Sequence, residues 1–218
     1  IMSSVFGWAA KKGLVPDNPC RGIAKAFGAK ESARTTYLHG DALLRFWAAL
    51  EADPDADTRE VFMLALYTGQ RKGNVLAMRW AHVDLDAGLW TIPGSETKQK
   101  SAQSNPLSAQ ARMILARRHA DAGTEWVFPA VRRGKGGEVG HMTESRPRDA
   151  WERITKAAGV DDVRIHDLRH TAGSWLARLG SNEAVRQKAL GHQTPAMAAR
   201  YSHLELDPVA DAMQRMGH

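Results

Sequence analysis

The sequence predicts an α+β fold that is mainly α-helical and contains a small three-stranded antiparallel sheet. Three observations lead to this fold class. Apolar residues recur with a helical period along most of the chain. Between about residues 83 and 107 the period becomes that of strands. With 218 residues, 43% of them hydrophobic, and seven Trp, the chain is long enough for one main domain with a buried core.

The N-terminal region predicts one helix followed by a linker. Its apolar positions follow i, i+3, i+4 and i+7 spacing: Met2, Val5, Phe6 and Ala9. Gly13 is the expected stop, and a single short helix cannot form its own core. We therefore expect residues 1–20 to be the remnant of a larger N-terminal domain. Residues 21–36 predict a basic linker, either solvated or following DNA, and residues 37–218 the main domain.

The main domain is predicted to begin with helices and to continue with strands. From Gly40 an apolar stripe indicates a helix, and the wholly apolar Val61–Tyr67 indicates a buried helix that ends at Gly69. A short helix, Arg71–Met78, follows. Apolar residues on both sides of the turn Asp86-Ala87-Gly88 predict a hairpin, and residues 102–107 a third strand.

The remaining elements are predicted to be helices. Two helices are predicted at 108–122 and 144–158. A third is indicated by an apolar stripe of Leu168, Ala172, Trp175, Leu176 and Leu179. Shorter helices are predicted at 182–190 and 194–201, followed by a tail helix at 207–215.

Composition limits the possible partners and the location. The net charge of +6 and the pI near 9.7 favour a polyanionic partner, because Lys and Arg that neutralise phosphates release counterions. No stretch approaches the roughly 18 apolar residues of a membrane span. Cys20 is the only cysteine, so a disulfide framework and a thiolate zinc site are excluded within this chain. We expect a cytoplasmic protein without a membrane partner.

Two arginines, two histidines and a tyrosine stand in a recognisable order. Their local phrases are Thr68-Gly-Gln-Arg71, His166-Asp-Leu-Arg169-His-Thr171, Leu190-Gly-His192 and Ala199-Arg-Tyr201-Ser-His203. Arginine presents a planar fork of donors that can hold a phosphodiester while charge builds on it. Tyr201 can act as the nucleophile when a cationic pocket or a base lowers its pKa from about 10. Such a set suits phosphoryl transfer without a metal ion.

This ordered set, from about Tyr37 to His203, resembles the catalytic domain of the tyrosine recombinases, also called the phage integrase family. The resemblance implies the tyrosine-recombinase catalytic fold, with Arg71 and Arg169 as phosphate clamps. It also implies that His166 bonds the phosphate or accepts the tyrosine proton, and that Tyr201 is the nucleophile. Residues 8–19 resemble the end of the core-binding domain of this family. At Asn74 the family more often has Glu or Asp, so a negative charge is missing there.

The resemblance also implies a general acid on the turn between the second and third strands. Lys98 matches that place best, since it follows Thr97 and precedes the phrase Pro106-Leu-Ser108. Lys100 is the alternative. As isolated residues, both are simply solvated hairpin lysines.

The densest basic cluster is predicted either to contact the DNA backbone or to form a solvated loop. It consists of Arg132, Arg133, Lys135, Arg146 and Arg148. No His, Cys and carboxylate grouping has the spacing of metal ligands, and no P-loop pattern is present, so we expect neither a metal nor a cofactor.

The predicted function is site-specific DNA recombination through a 3′-phosphotyrosyl intermediate, in a phage or an integrated mobile element. Two alternatives remain open: an inactive DNA-binding module of the same fold, and a type IB topoisomerase. The expected partners are double-stranded attachment sites, further protomers that complete a tetramer on DNA, and host or element-encoded DNA-bending proteins.

Overall fold

The computed structural model describes residues 2–23, 36–97, 100–131 and 137–191. The chain divides into two compact units, Ile1–Thr35 and Thr36–His218. In the first unit, helix α1 spans Met2–Lys11, as the apolar period predicts, and none of its side chains is buried. Asn18 Nδ2 donates a hydrogen bond of 2.9 Å to the carbonyl of Ser3, which ties the turn after the helix to its first turn.

The second unit is mainly helical, and the predicted fold class is confirmed. Its helices are α2 (Gly40–Ala52), α3 (Ala56–Thr68), α4 (Lys72–Leu76), α5 (Ala109–Ala120), α6 (Ser145–Ala158), α7 (Asp167–Arg178) and α8 (Glu183–Leu190). Helix α4 is shorter than predicted. The helices predicted at 194–201 and 207–215 lie outside the described residues.

Three short strands form the antiparallel sheet in the order β1-β2-β3, where β1 is Val83–Asp84, β2 is Leu89–Ile92 and β3 is Gln103–Pro106. Trp90 pairs with Asn105, and Ile92 pairs with Gln103. Trp90, Ile92 and Asn105 are buried. One face of the sheet thus packs on the core, and its innermost residue on β3 is polar.

The core of this unit is built around Trp151 on α6. Its ring lies 5.3 Å from that of Phe46 on α2 and 5.1 Å from that of Phe62 on α3, measured between centroids. The indole Nε1 donates to the carbonyl of Val163 at 3.0 Å, so its polar atom is satisfied inside the core. Trp151 therefore joins three helices and the segment that leads into α7.

The apolar stripe predicted for α7 is wrong at its end. Leu168 and Ala172 are buried, but Leu179 is 82% exposed because the helix ends at Arg178, before Gly180 with a φ of 75°. The polar Thr171 and Ser174 are buried instead, and each hydroxyl donates to a carbonyl four residues earlier. The buried face of α7 is thus partly polar.

Candidate active site

Arg71 leaves the chain at a tight turn between two helices, as predicted. Gly69 caps α3 with a φ of 63°, and Arg71 is the N-cap residue of α4. Its side chain is half-buried and makes no hydrogen bond or ion pair with the residues that the structure describes. No described residue therefore occupies the donors of this guanidinium.

The spacing of His166 and Arg169 on either side of Leu168 predicts that both lie beside the buried face of their helix, and for Arg169, which is buried, this prediction is wrong. Arg169 is only 4% exposed. Its Nη1 donates to the carbonyl of Gly69 at 2.9 Å, and its Nη2 donates to the carbonyl of Leu190. These acceptors lie two residues before Arg71 and two residues before His192. The side chain of Arg169 thus joins three of the four sequence phrases.

His166 stands exposed at the N-terminal end of α7, one turn before Arg169. Its ring lies 5.2 Å from that of His170 in an edge-to-face arrangement. The carboxylate of Asp167 accepts the backbone N–H of Arg164 at 2.8 Å, which shapes the turn that enters the helix. His166 is thus presented to solvent from an ordered turn beside the buried arginine.

The C-terminal end of α8 lies against the turn that carries Arg71. Leu190 is fully buried, and a Cβ at Gly69 would come within 2.6 Å of its Cδ2. Gln70 Nε2 donates to the carbonyl of Ala189 at 3.0 Å. A side chain at residue 69 would force Leu190 to shift, and the φ of 63° there also favours glycine. The phrase Thr68-Gly-Gln-Arg71 did not reveal this contact.

Lys98 lies outside the described residues, but both ends of its loop are described. Lys100 is exposed and has a φ of 53°, the left-handed region that non-glycine residues rarely adopt. A Cβ at Gly94 would lie 2.8 Å from the carbonyl oxygen of Lys100. The loop is therefore closed tightly at its base, and the choice between Lys98 and Lys100 as general acid stays a prediction.

The predicted nucleophile Tyr201 and the predicted His192 also lie outside the described residues. Tyr67 is half-buried and packs edge-on against Trp47 at 5.9 Å. Burial raises the pKa of its phenol, and the nearby Glu51 raises this pKa further. Tyr37 packs against the ring of His39 at 5.0 Å. A raised pKa makes Tyr67 a poor nucleophile at neutral pH.

Arg146 and Arg148 belong to the cluster predicted either to contact the DNA backbone or to be solvated, and they lie in different environments. Arg146 donates to both carboxylate oxygens of Asp55, at 2.8 and 2.6 Å, and its Nη1 lies 3.0 Å from Asp57. Burial alone would lower the pKa of Arg146, but these carboxylates raise it. They match its charge within the protein, which argues against a DNA contact. Arg148 is exposed, with Asp149 at 3.7 Å, and Arg132, Arg133 and Lys135 lie outside the described residues.

A groove of about 490 Å³ runs beside His166, and basic side chains line it. Besides His166, the basic groove contains Lys72, Arg148 and Arg164. Glu144, also on its wall, lies 3.4 Å from Lys72 Nζ and is mostly exposed. Lys72 and Arg164 were not singled out from the sequence. Lys72 is brought next to His166 only by the fold, whereas Arg164 is two residues before His166 but belongs to none of the sequence phrases.

Among the described residues, no group of three or more His, Cys, Asp and Glu side chains is arranged to hold a metal ion. In the same part of the chain, no helix has both the length and the apolar character needed to cross a bilayer.

Sequence comparisons relate most of the chain to one protein family. The model of the phage integrase family matches residues 36–207. The shufflon-specific DNA recombinase of Escherichia coli is 36% identical over 145 residues, which are 66% of this chain and 34% of that protein. The integrase of Salmonella phage P22 is 30% identical over 151 residues, which are 67% of this chain and 39% of that integrase. The chain thus matches little more than a third of the length of these relatives.

Solved structures share the fold at lower identity. The Tn1549 transposon integrase in complex with circular intermediate DNA superposes with a TM-score of 0.72 at 16% identity, over 99% of this chain and 78% of that one. The catalytic domain of bacteriophage HP1 integrase gives a TM-score of 0.60 at 19% identity, over 82% of this chain and 94% of that domain.

Proposed function

Because the chain belongs to the phage integrase family, we propose that it carries the catalytic part of a site-specific DNA recombinase. In this proposal it cleaves and rejoins DNA strands through a 3′-phosphotyrosyl intermediate. The observation that carries it is the position of Arg169, whose guanidinium is bonded to the backbone just before Arg71 and just before His192. The two carbonyls belong to residues 69 and 190, so Arg169 connects segments that are far apart in sequence, which supports a shared phosphate site in this proposal.

In the proposed reaction, the side chains divide the work between charge and proton transfer. Arg71 and Arg169 hold the non-bridging oxygens while negative charge builds on the phosphorus centre. The oxygen of Tyr201 attacks phosphorus and its proton passes to His166, while the bond to the 5′ oxygen breaks. Lys98, or Lys100 in its place, gives a proton to the leaving 5′ oxygen.

The second half of the reaction reverses these steps with another strand. A 5′ hydroxyl from that strand attacks the phosphotyrosine, so the energy of the phosphodiester is conserved. His192 adds a hydrogen bond to the same phosphate. A DNA-binding module that no longer cleaves would share the fold without this chemistry, and a type IB topoisomerase would rejoin the original strand.

We propose double-stranded attachment sites of a phage or mobile element as the substrate, with four protomers assembled on DNA. Two solved relatives support a DNA partner. XerH is bound to a palindromic difH substrate in a post-cleavage complex, and the Tn1549 integrase is bound to circular intermediate DNA. A DNA-bending protein and a cytoplasmic location complete the proposal.

A nicked attachment-site substrate tests the proposed function. The nick makes the released fragment, which carries the free 5′ hydroxyl, short enough to diffuse away, so the cleaved state accumulates. The expected result is a protein–DNA adduct that survives denaturant, disappears on proteolysis and forms in the presence of EDTA. Absence of any adduct on substrates that the protein binds would leave the DNA-binding module as the function.

We expect the basic groove to bind phosphates that flank the scissile one. Arg148→Ala and Arg164→Ala should each reduce the slope of log K against log salt by about 0.9, the value for one lost phosphate contact in duplex DNA. Binding titrations over a range of salt concentrations measure this slope. Arg178→Ala is the matched control, because Arg178 is exposed at the opposite end of α7. An unchanged slope in both groove variants, or an equal drop in the control, would contradict the assignment.

A further inference from the structure

Three side-chain amides connect strand β3 to the C-terminal end of α8. Gln70 Nε2 donates to Asn105 Oδ1 at 2.7 Å and to the carbonyl of Ala189 at 3.0 Å. Gln103 Nε2 donates to the same Asn105 oxygen at 2.8 Å. Gln70 and Asn105 are almost completely buried, at 1% and 3% exposure. We call this chain of amides the amide tether.

The orientation of the tether follows from its partners. Asn105 Nδ2 donates to the carbonyls of Trp90 and Gln103, at 3.1 and 3.2 Å, so its Oδ1 must face the two glutamines. The end of the Gln70 carboxamide that faces Asn105 and Ala189 meets only acceptors, so this end must be the nitrogen. The tether is thus anchored on β2 and β3 and directed at α8.

The end of α8 receives three more contacts at the same place. Arg169 donates to the carbonyl of Leu190, and the side chain of Leu190 packs on Gly69. A Cβ at Gly191 would collide with the carboxamide of Gln103, so this residue lies directly on the tether. Residues 189–191 are therefore held from the sheet, from α7 and from the turn that carries Arg71.

We propose that Gln70, Gln103 and Asn105 are positioning residues that fix the end of α8 and thereby set the path of the chain into His192 and Tyr201. His192 directly follows Gly191, so a shift of residues 189–191 moves its backbone. The proposal rests on the proposed function for its catalytic consequence. It assigns a role to three amides through the contacts that they make within the protein.

The chemistry of Gln70 separates this role from simple packing. Its buried Oε1 accepts no hydrogen bond from the described residues. Methionine has a similar length and no polar atom, so Gln70→Met removes both donated bonds and also removes an unpaired buried acceptor. Asn105 Oδ1 keeps the bond from Gln103. The substitution should therefore loosen the end of α8 with only a small change in overall stability.

The experiment compares Gln70→Met with Gln110→Met, the same chemical change at an exposed position of α5. Cleavage is measured in a single turnover on the nicked substrate at saturating DNA, and affinity is measured separately. We expect Gln70→Met to cleave about 10- to 100-fold more slowly, because a displacement of about 1 Å can cost 10²-fold, with the Kd for DNA unchanged. Gln103→Met, at a less buried position, should show the same split with a smaller loss.

A 5′-bridging phosphorothiolate substrate distinguishes an effect of the amide tether on the general acid from an effect on the end of α8. Its thiolate leaving group needs no proton, so it restores cleavage when only the general acid is misplaced. We expect no restoration in Gln70→Met. Restored cleavage would overturn the proposal, because it would show that the amides position the loop that carries the general acid. Cleavage of the ordinary substrate at the parental rate, or an equal loss of DNA affinity, would also overturn it.

Hydrogen exchange tests the tether apart from catalysis. The N–H of Gly191, which donates to the carbonyl of Lys188, should exchange faster in Gln70→Met than in Gln110→Met. Unchanged exchange would overturn the tether itself. If the parental protein forms no adduct while exchange changes as expected, the proposed function fails and the structural tether stands.

Discussion

Replacing Tyr201 with phenylalanine is expected to abolish the covalent protein–DNA adduct while DNA binding survives. The phenolic oxygen is the atom that the proposed reaction joins to phosphorus, and phenylalanine has the same shape without it. The Kd for an attachment site should change by no more than about tenfold, since one hydrogen bond contributes about 0.5–1.5 kcal/mol. Adduct yield on the nicked substrate and gel-shift affinity measure the two quantities.

Tyr67→Phe provides the matched control. Burial and the nearby Glu51 raise the pKa of Tyr67, so its phenolate is less accessible at neutral pH than that of an ordinary tyrosine. This variant should form the adduct at the parental rate. Adduct formation by Tyr201→Phe would remove Tyr201 as the nucleophile, and its loss in Tyr67→Phe alone would transfer the role.

Substitutions of Arg71 and Arg169 are expected to have similar effects on cleavage but different effects on stability. Arg71→Ala and Arg169→Ala should each slow cleavage by about 10²-fold or more, the cost of losing a preorganised donor to the charged phosphate. Only Arg169→Ala should also reduce the free energy of unfolding, by about 2–4 kcal/mol, because the carbonyls of Gly69 and Leu190 lose their buried donor. Arg71 has no such partner among the described residues.

Urea unfolding and single-turnover cleavage separate these effects. The cleavage rates of both variants are compared without urea, at a temperature at which each variant is folded, so that the rates refer to native protein. Arg169→Lys is informative as an intermediate, since lysine keeps the charge but cannot reach both carbonyls with a planar fork. A fall in cleavage of less than about threefold at either arginine would exclude a contact with the scissile phosphate.

The sequence predicted the fold where one physical signal dominated each segment. The wholly apolar Val61–Tyr67 has no polar face, which predicts a buried helix, and α3 contains it with all but Met63 and Tyr67 of this segment buried. The turn before Gly88 predicted the hairpin, because a φ of 65° at this position favours glycine. The end of α7 was predicted wrongly. Leu179 continues the apolar stripe in sequence, but α7 has already ended at Arg178.

The candidate site was predicted as a set of residues but not as an arrangement. An arginine is normally an exposed residue, so the burial of Arg169 among backbone carbonyls could not be read from its spacing to His166. Gln70 and Asn105 are also residue types that are normally exposed, and no periodic pattern in the sequence indicates that they are buried. Their burial depends on partners 35 and 119 residues away along the chain.

Long-range ion pairs likewise cannot be predicted from a basic cluster. Arg146 and Arg148 are two residues apart, yet Arg146 meets Asp55, 91 residues away, and Arg148 faces the basic groove. A helix turns by about 200° over two residues, so such neighbours point to opposite sides. Charge counting assigns them one role, whereas the packing of α6 against α3 gives them different surroundings.

The closed base of the loop between β2 and β3 limits how this loop can be redesigned. The atoms that a side chain at Gly94 would strike are backbone atoms of Lys100 and Ser101, which cannot rotate away as a flexible side chain can. A saturation library at position 94 would therefore retain glycine, while the exposed Ser95 and Glu96 would accept many substitutions. When a loop from another recombinase is grafted here, both junctions should accordingly lie between Gly94 and Lys100. The close contact between the two backbone segments is then kept.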